Sequence, residues 1–351
     1  MDRWAVLWVG MAAVACTDAA MVEPVSVPAP LTAVAADPGW TVVDYGIQPE
    51  WSGYFVWAHG ANGQLAISQV FGSRQRAILR YPDGSVRRLM PLPGHIGSRP
   101  RDVNASGVAV GDSYTSSTDA VPVVWIPNAP PQPLETPHPL ALATALNGKG
   151  MIVGWARGDD QPRVYNAYRW RLPSTKPELL PAPASAVGVM AFDVNDRGFI
   201  AGVIDRDHVL WTPDNTLITV HTTTGQTSAL RTFVNNRNDV LVWTVRPIGS
   251  VAQYDLYRWT QHTGSILLVP PTGMRVAQAQ GLDREGNVYV HLDTGVGTTA
   301  SAYVFMGAAA IPLPVAPRGV LPRVVGSCGE LAGHGGQTGA WSLVVWKRAC
   351  R

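Results

Sequence analysis

The chain has 351 residues, of which 46% are hydrophobic and 15% charged, with a formal net charge of +2. That length suits two average domains or one large all-β domain. The small net charge, with no dense run of Lys or Arg, excludes a phosphate-binding stripe for nucleic acid. Gly (35) and Pro (29) are abundant, which favours short strands and tight turns over long helices.

The first fifteen residues read as a signal peptide. Arg3 supplies one positive charge, and residues 4–15 are apolar or small. Such a core is too short to span a bilayer. Ala13-Val14-Ala15-Cys16 resembles the bacterial lipobox, which would make Cys16 the lipidated first residue. The same residues also fit an ordinary signal-peptidase site with an incidental Cys. Thr17 after the anchor leans toward the outer membrane, on its periplasmic or surface side.

The chain has three cysteines. Lipidation of Cys16 would leave Cys328 and Cys350 as a pair, and a disulfide between them would staple the last strands of an exported protein. Two free thiols are the alternative. Residues 16–38 are rich in small residues and Pro without periodicity, so a flexible tether is expected. Residues 39–351 form the repeat domain.

From residue 53 the sequence repeats. Asn104-Ala105-Ser106-Gly107, Asn147-Gly148-Lys149-Gly150 and Asn195-Asp196-Arg197-Gly198 are the clearest copies. The turn-ending position runs Gly63, Gly107, Gly150, Gly198, Asn238, Gly286 and Gly329, in steps of 40 to 48 residues. An aromatic landmark follows each: Tyr81, Trp125, Trp170, Trp211, Trp259, Phe305 and Trp346. Asn or Asp opening a type I turn, with Gly closing it, joins two antiparallel strands. In the third unit the pattern predicts strands over 142–146, 150–156, 165–171 and 178–180. Four strands in some 44 residues match a propeller blade. The expected fold is therefore all-β: a seven-bladed β-propeller of four-stranded blades. Residues 40–45 would supply the last blade's fourth strand and close the ring. An open solenoid, or six or eight blades, is the rival architecture. The aromatic landmark is expected to pack between blades.

These units resemble the HAF-type extracellular repeat family of bacteria. Asn104, Asn147 and Asn195 with their paired glycines match the first half of its pattern, and Ala167-Tyr168-Arg169-Trp170 matches the second. The namesake His is missing from every unit, and a Leu-Pro strand replaces Leu-Gly. The resemblance covers residues 53–350 and implies an exported β-rich repeat protein, with no reaction attached.

No phosphate loop, metal-binding His or Cys pair, or nucleophile elbow is present, so no catalytic residue, metal or cofactor is expected. The connections between second and third strands are polar, and rigid scaffolds commonly carry function on such loops. Candidate binding residues there are Asp112, Tyr114, Arg157, Asp159, Asp160, Asp205, Asp207, His208 and His334. The acidic pairs Asp159/Asp160 and Asp205/Asp207 read as surface solubilisers before calcium ligands. Arg157-Gly158-Asp159 matches an adhesion tripeptide too short to carry weight. Asp102, Asp193 and Asp283 read as turn formers. The expected function is a non-catalytic binding or scaffolding module on the bacterial envelope, monomeric, with an unidentified protein or glycan partner. The alternatives are a lyase or glycan hydrolase with its site at the propeller mouth, and a purely structural surface repeat.

Overall fold

The computed structural model describes residues 32–35, 39–47, 53–116, 119–138, 140–158, 164–225, 227–248, 251–295, 299–337 and 340–348. Cys16, Cys350 and the first fifteen residues lie outside them. Among the described residues the regular structure is β-strand, with one short 3-10 turn at Pro317–Gly319. No helix among them is long and apolar enough to cross a membrane.

The strands form antiparallel sheets, in sequence order except in the last, which joins the first described strands to the final ones. Unit three is built from Ala141–Leu146, Met151–Arg157, Tyr165–Arg171 and Glu178–Leu179, one residue or less from the expected bounds. Units five and six share one eight-stranded sheet, joined by a single pairing of Tyr254 with Val276. In the last sheet, Trp40–Ile47 pairs antiparallel with Ala340–Arg348. Thr32–Ala35 adds a further strand beside it. That stretch falls inside the expected tether. Its β-branched Thr32 and Val34 favour extended backbone beside an open sheet edge.

The turn-ending residues share one conformation. Gly63, Gly107, Gly150, Gly198, Asn238, Gly286 and Gly329 all have positive φ, between 68° and 85°. Each donates its N–H to the carbonyl three residues back. Glycine takes this left-handed geometry without a Cβ clash, and Asn is the side-chain-bearing residue that tolerates it best. Asn238 therefore does in unit five what glycine does elsewhere.

Apolar side chains fill the spaces between successive sheets. One cluster joins Leu79 and Leu89 of unit one to Val123 and Trp125 of unit two. Another joins Val43 and Tyr45 of the N-terminal strand and Val345 to Tyr54 and Ile67 of unit one. Neighbouring side chains on a strand point to opposite faces. Val42 accordingly packs the other way, with Val304 and Leu313 of unit six.

The aromatic landmark lies in these clusters. Trp170, Trp211 and Trp346 are fully buried, and Trp125 nearly so. Each indole N–H donates to a backbone carbonyl of the preceding unit: Trp125 to Met90, Trp170 to Glu135, Trp211 to Pro181 and Trp346 to Pro314. A buried indole needs such an acceptor, so the landmark fixes neighbouring units as well as filling space.

Candidate functional site

The first strand of every unit carries a β-bulge. The pairing register skips Trp57, Arg101, Thr144, Phe192, Leu230, Gln280 and Arg323, and unit six skips Ala277 as well. A bulge leaves one residue unpaired and re-aims its side chain. Here it also explains the second glycine of the repeat. A Cβ on Gly111 would lie 2.0 Å from the Arg99 carbonyl, and one on Gly154 1.9 Å from that of Leu142. Gly202 and Gly333 face Met190 and Leu321 in the same way. The bulge brings the carbonyl into the space a side chain would need.

All the bulged residues except Leu230 and Ala277 line one cavity of about 220 Å³, joined by Asp102, Asp193, Arg231, Phe233, Trp243 and Gln278. Every unit contributes to its wall. A second cavity of about 210 Å³ lies among the turns, lined by Asn104, Asn147, Asn195 and Asn235. Both are smaller than the roughly 300–1,000 Å³ of pockets for drug-sized ligands, so a small molecule or the end of a longer one would fit.

The first cavity combines guanidinium groups with aromatic rings. Arg101 lies over Trp57, 4.6 Å from the ring centroid, and its Nε pairs with the buried Asp112 carboxylate at 3.2 Å. Arg231 lies over Phe233 at 4.9 Å. It keeps contact with solvent in the cavity, yet enclosure by protein lowers its pKa below the ordinary guanidinium range. Arg323 donates to Gln278 at 3.0 Å, and burial lowers its pKa too. The Nε1–H of Trp243 is buried with no acceptor.

The two carboxylates in the wall serve the backbone. Asp102 accepts from Val103 at 2.8 Å and, across to unit three, from Leu146 at 2.8 Å. Asp193 accepts from Val194 at 2.8 Å and from Val234 of unit five at 2.9 Å. Burial raises both pKa values above the usual carboxylate range, that of Asp102 to about 7. Neither opens a turn, as the sequence suggested; each tethers its bulged strand to the next unit. Asp283 does open one, accepting from Asn287 N–H.

The residues expected on exposed loops are mostly elsewhere. Asp112 and Tyr114 lie buried on the strand Ala109–Tyr114, because that strand runs further than its polar sequence suggests. Asp112 neutralises Arg99 and Arg101. The Tyr114 hydroxyl accepts from Gln75 N–H of unit one at 2.8 Å. Arg157 ends the strand Met151–Arg157. His208 is buried against the Thr232 hydroxyl at 2.7 Å, and His334 accepts from Val56 N–H at 3.1 Å. Asp207 opens a strand and is half-buried. Asp205 is exposed, with φ of 52°, and its carboxylate accepts from Val187 and Gly188. Asp159 and Asp160 lie outside the described residues. Among those described, no three His, Cys, Asp or Glu gather to hold a metal ion.

The cavity residues escaped the sequence reading. In six units the bulge falls three residues before the turn-opening residue, a column reading Trp57, Arg101, Thr144, Phe192, Gln280, Arg323. Aligning the repeats on their turns would have exposed it. No single unit shows it, because each supplies one side chain.

No protein-family model matches the chain, and no curated protein is similar to it. Solved structures are similar in fold. The oligogalacturonate lyase of Vibrio parahaemolyticus superposes with a TM-score of 0.60 at 11% identity, over 90% of this chain and 96% of that one. An inactive variant of the Staphylococcus aureus virginiamycin B lyase, with quinupristin, gives 0.55 at 10% identity, over 87% and 99%. The β-propeller domain of the Pyrococcus furiosus Trilobed protease gives 0.57 at 11% identity, over 84% and 96%. At such identity the likeness concerns architecture alone: the chain has a β-propeller fold of repeated four-stranded antiparallel sheets.

Proposed function

We propose that the protein is an exported, lipid-anchored binding module of the bacterial envelope, related to the HAF-type repeats, whose ligand enters the bulge-lined cavity on the axis of a closed seven-bladed propeller. The observation that carries the binding reading is the cavity wall, to which all seven repeats contribute an element. Closure is supported by the pairing of Trp40–Ile47 with Ala340–Arg348. It is supported also by the cluster uniting Tyr45, Val345 and Ile67, and by the bond from Val56 N–H to His334.

The binding reading is tested with the full chain carrying Cys16→Ser, offered to glycan and protein arrays. Selective retention of one ligand class that competes with alkylation or quenching of Trp57 supports it. Retention unaffected by Trp57→Ala, or none at all, rejects it. Mass spectrometry of the wild-type membrane fraction checks the anchor, through an acyl mass on Cys16. The same measurement under non-reducing conditions checks the Cys328–Cys350 bond.

An enzymatic reading draws on the fold shared with two lyases over most of the chain. β-Elimination creates a conjugated double bond, so ultraviolet absorbance growing in a uronate polymer incubated with the protein would establish it. Such turnover would displace the non-catalytic reading.

A further inference from the structure

We propose that the bulge-lined cavity takes a small anionic ligand bearing a carboxylate or phosphate group, with Arg231 as the principal partner of the anion and an aromatic ring edge of the wall against the ligand's body. This rests on the binding reading above and names its ligand chemistry.

Arg231 carries the argument. Its guanidinium offers five N–H donors; among the described residues none of them makes a hydrogen bond or ion pair, the Phe233 ring lies beside the group, and the Asp193 and Asp102 carboxyls act on it only at longer range. The guanidinium reaches solvent in the cavity, so its donors are open to an incoming anion. Trp243 belongs to the same wall. Its Nε1–H is buried without an acceptor, and the side chain lines the same cavity. The Arg231 donors reach the cavity solvent, whereas the Trp243 Nε1–H does not, so the indole shapes the wall and Arg231 meets the ligand.

The charges around the cavity favour an anion over a cation. The oxygens of Asp102 and Asp193 already accept backbone N–H groups from their own and the following unit. Asp112 is held by Arg99 and Arg101. Among the described residues, Arg231 and Arg323 have no carboxylate within ion-pair distance, and Arg323 donates to the neutral Gln278. Arginine is suited to both carboxylate and phosphate through its planar fork. The edges of the Trp57 and Phe233 rings, each with a guanidinium over one face, give the wall apolar surface for the less polar side of a sugar or similar ring. A volume of about 220 Å³ restricts the occupant to one such ring or a chain end.

The test is isothermal titration of the full chain, Cys16→Ser, with glucuronate, glucose and inorganic phosphate. Glucuronate or phosphate should bind, glucose should not, and affinity should fall with added salt. Binding by glucuronate alone assigns the carboxylate, and by phosphate alone the phosphate. Arg231→Gln should weaken the anion at least tenfold while the unliganded protein keeps its cooperative thermal transition. Arg197→Gln, on an exposed turn, should change nothing. No heat with either anion, equal binding of glucose, or an anion affinity untouched by Arg231→Gln overturns the assignment. A different array ligand that depends on Trp57 but not on Arg231 would overturn this proposal and leave the binding reading standing.

Discussion

The side-chain amide of Asn147 donates to the backbone carbonyl of Asn195, 2.9 Å away in the next unit. Its Oδ1 meanwhile accepts from Lys149 and Met151 within its own turn. The relation recurs as Asn104 to Asn147, Asn195 to Asn235 and Asn235 to Asp283. One side chain thus closes its turn and ties that turn to its neighbour. Asp could do the first but lacks the donor for the second. Where Asp283 stands in unit six, the link passes instead through Arg284 N–H to the Ser327 carbonyl. In unit one Gln64 and Asn62 both reach the Ala105 carbonyl.

Asn147→Asp separates the two roles. The carboxylate still accepts from its own turn, but the buried carbonyl of Asn195 loses its donor and faces a negative charge. A loss of about 1–3 kcal/mol is expected, read as a lower urea midpoint with an unchanged slope. Asn147→Ala should cost more, because the turn is uncapped as well. If Asn147→Asp is as stable as the wild type, the inter-unit bond contributes nothing.

The repeat's local chemistry was legible from sequence, and its cross-unit chemistry was not. Turn position, strand bounds and the aromatic landmark follow from φ preference and alternation inside one unit, so reading Asn147-Gly148-Lys149-Gly150 sufficed. The bond from Asn147 to Asn195, the reach of Asp102 to Leu146 and the indole contact of Trp170 with Glu135 span 35 to 48 residues. They depend on how units lie beside one another. Polar residues misled for a related reason. Asp112, His208 and His334 look like loop residues, yet each is buried beside a specific partner. Hydrophobicity alone cannot foresee those pairs. The cavity was invisible because it is a column across repeats.

The second glycine of the repeat gives a sharper steric prediction. Gly154→Ala would set a methyl group 1.9 Å from the Leu142 carbonyl. That neighbour is backbone within a paired strand, so relief requires the bulge at Thr144 to shift. Overpacking of this kind costs about 1–3 kcal/mol. Displacing Thr144 would also break its hydroxyl bonds to the Val153 and Ala191 carbonyls. Thermal unfolding should show the loss. Hydrogen exchange should show faster opening in units three and four than in unit one. A uniform change across units would argue against a local cause.

The proposed closure has its own test. Residues 39–47 supply Val42 to the unit-six side and Val43 and Tyr45 to the unit-one side. Removing them exposes both clusters and the edge of Ala340–Arg348. The domain should then lose cooperative unfolding or fail to fold. Val42→Asp is the milder variant, placing a charge where the side chain is 1% exposed; it should lower stability by several kcal/mol. Equal melting temperatures for the deletion and the wild type would reject closure by this strand.

Acid should destabilise the protein through its histidines. Burial depresses His59 and His291 to about 4 and His208 and His334 to about 3; Arg323 adds repulsion at His291 and His334. Each folded-state pKa lies below the unfolded value near 6.5. The stabilisation is therefore fully present above about 6.5 and lost as pH falls through the range 6.5 to 3. Asp102 and Asp193 act oppositely. Their raised pKa values contribute stability fully present below the unfolded carboxylate value near 3.9, lost as pH rises, for Asp102 through about 7. The lowered histidines, His221 among them, outnumber the raised carboxyls Asp102, Asp193 and Glu330 between about 4 and 6.5. There the unfolded chain binds more protons, and each net proton shifts stability by about 1.4 kcal/mol per pH unit. Urea unfolding across that range should show stability decreasing as the pH is lowered. His208→Asn, which keeps a donor for Thr232 and removes one titrating group, should flatten the slope by about one proton. A wild-type slope of zero or opposite sign would mean these imidazoles are protonated inside the fold.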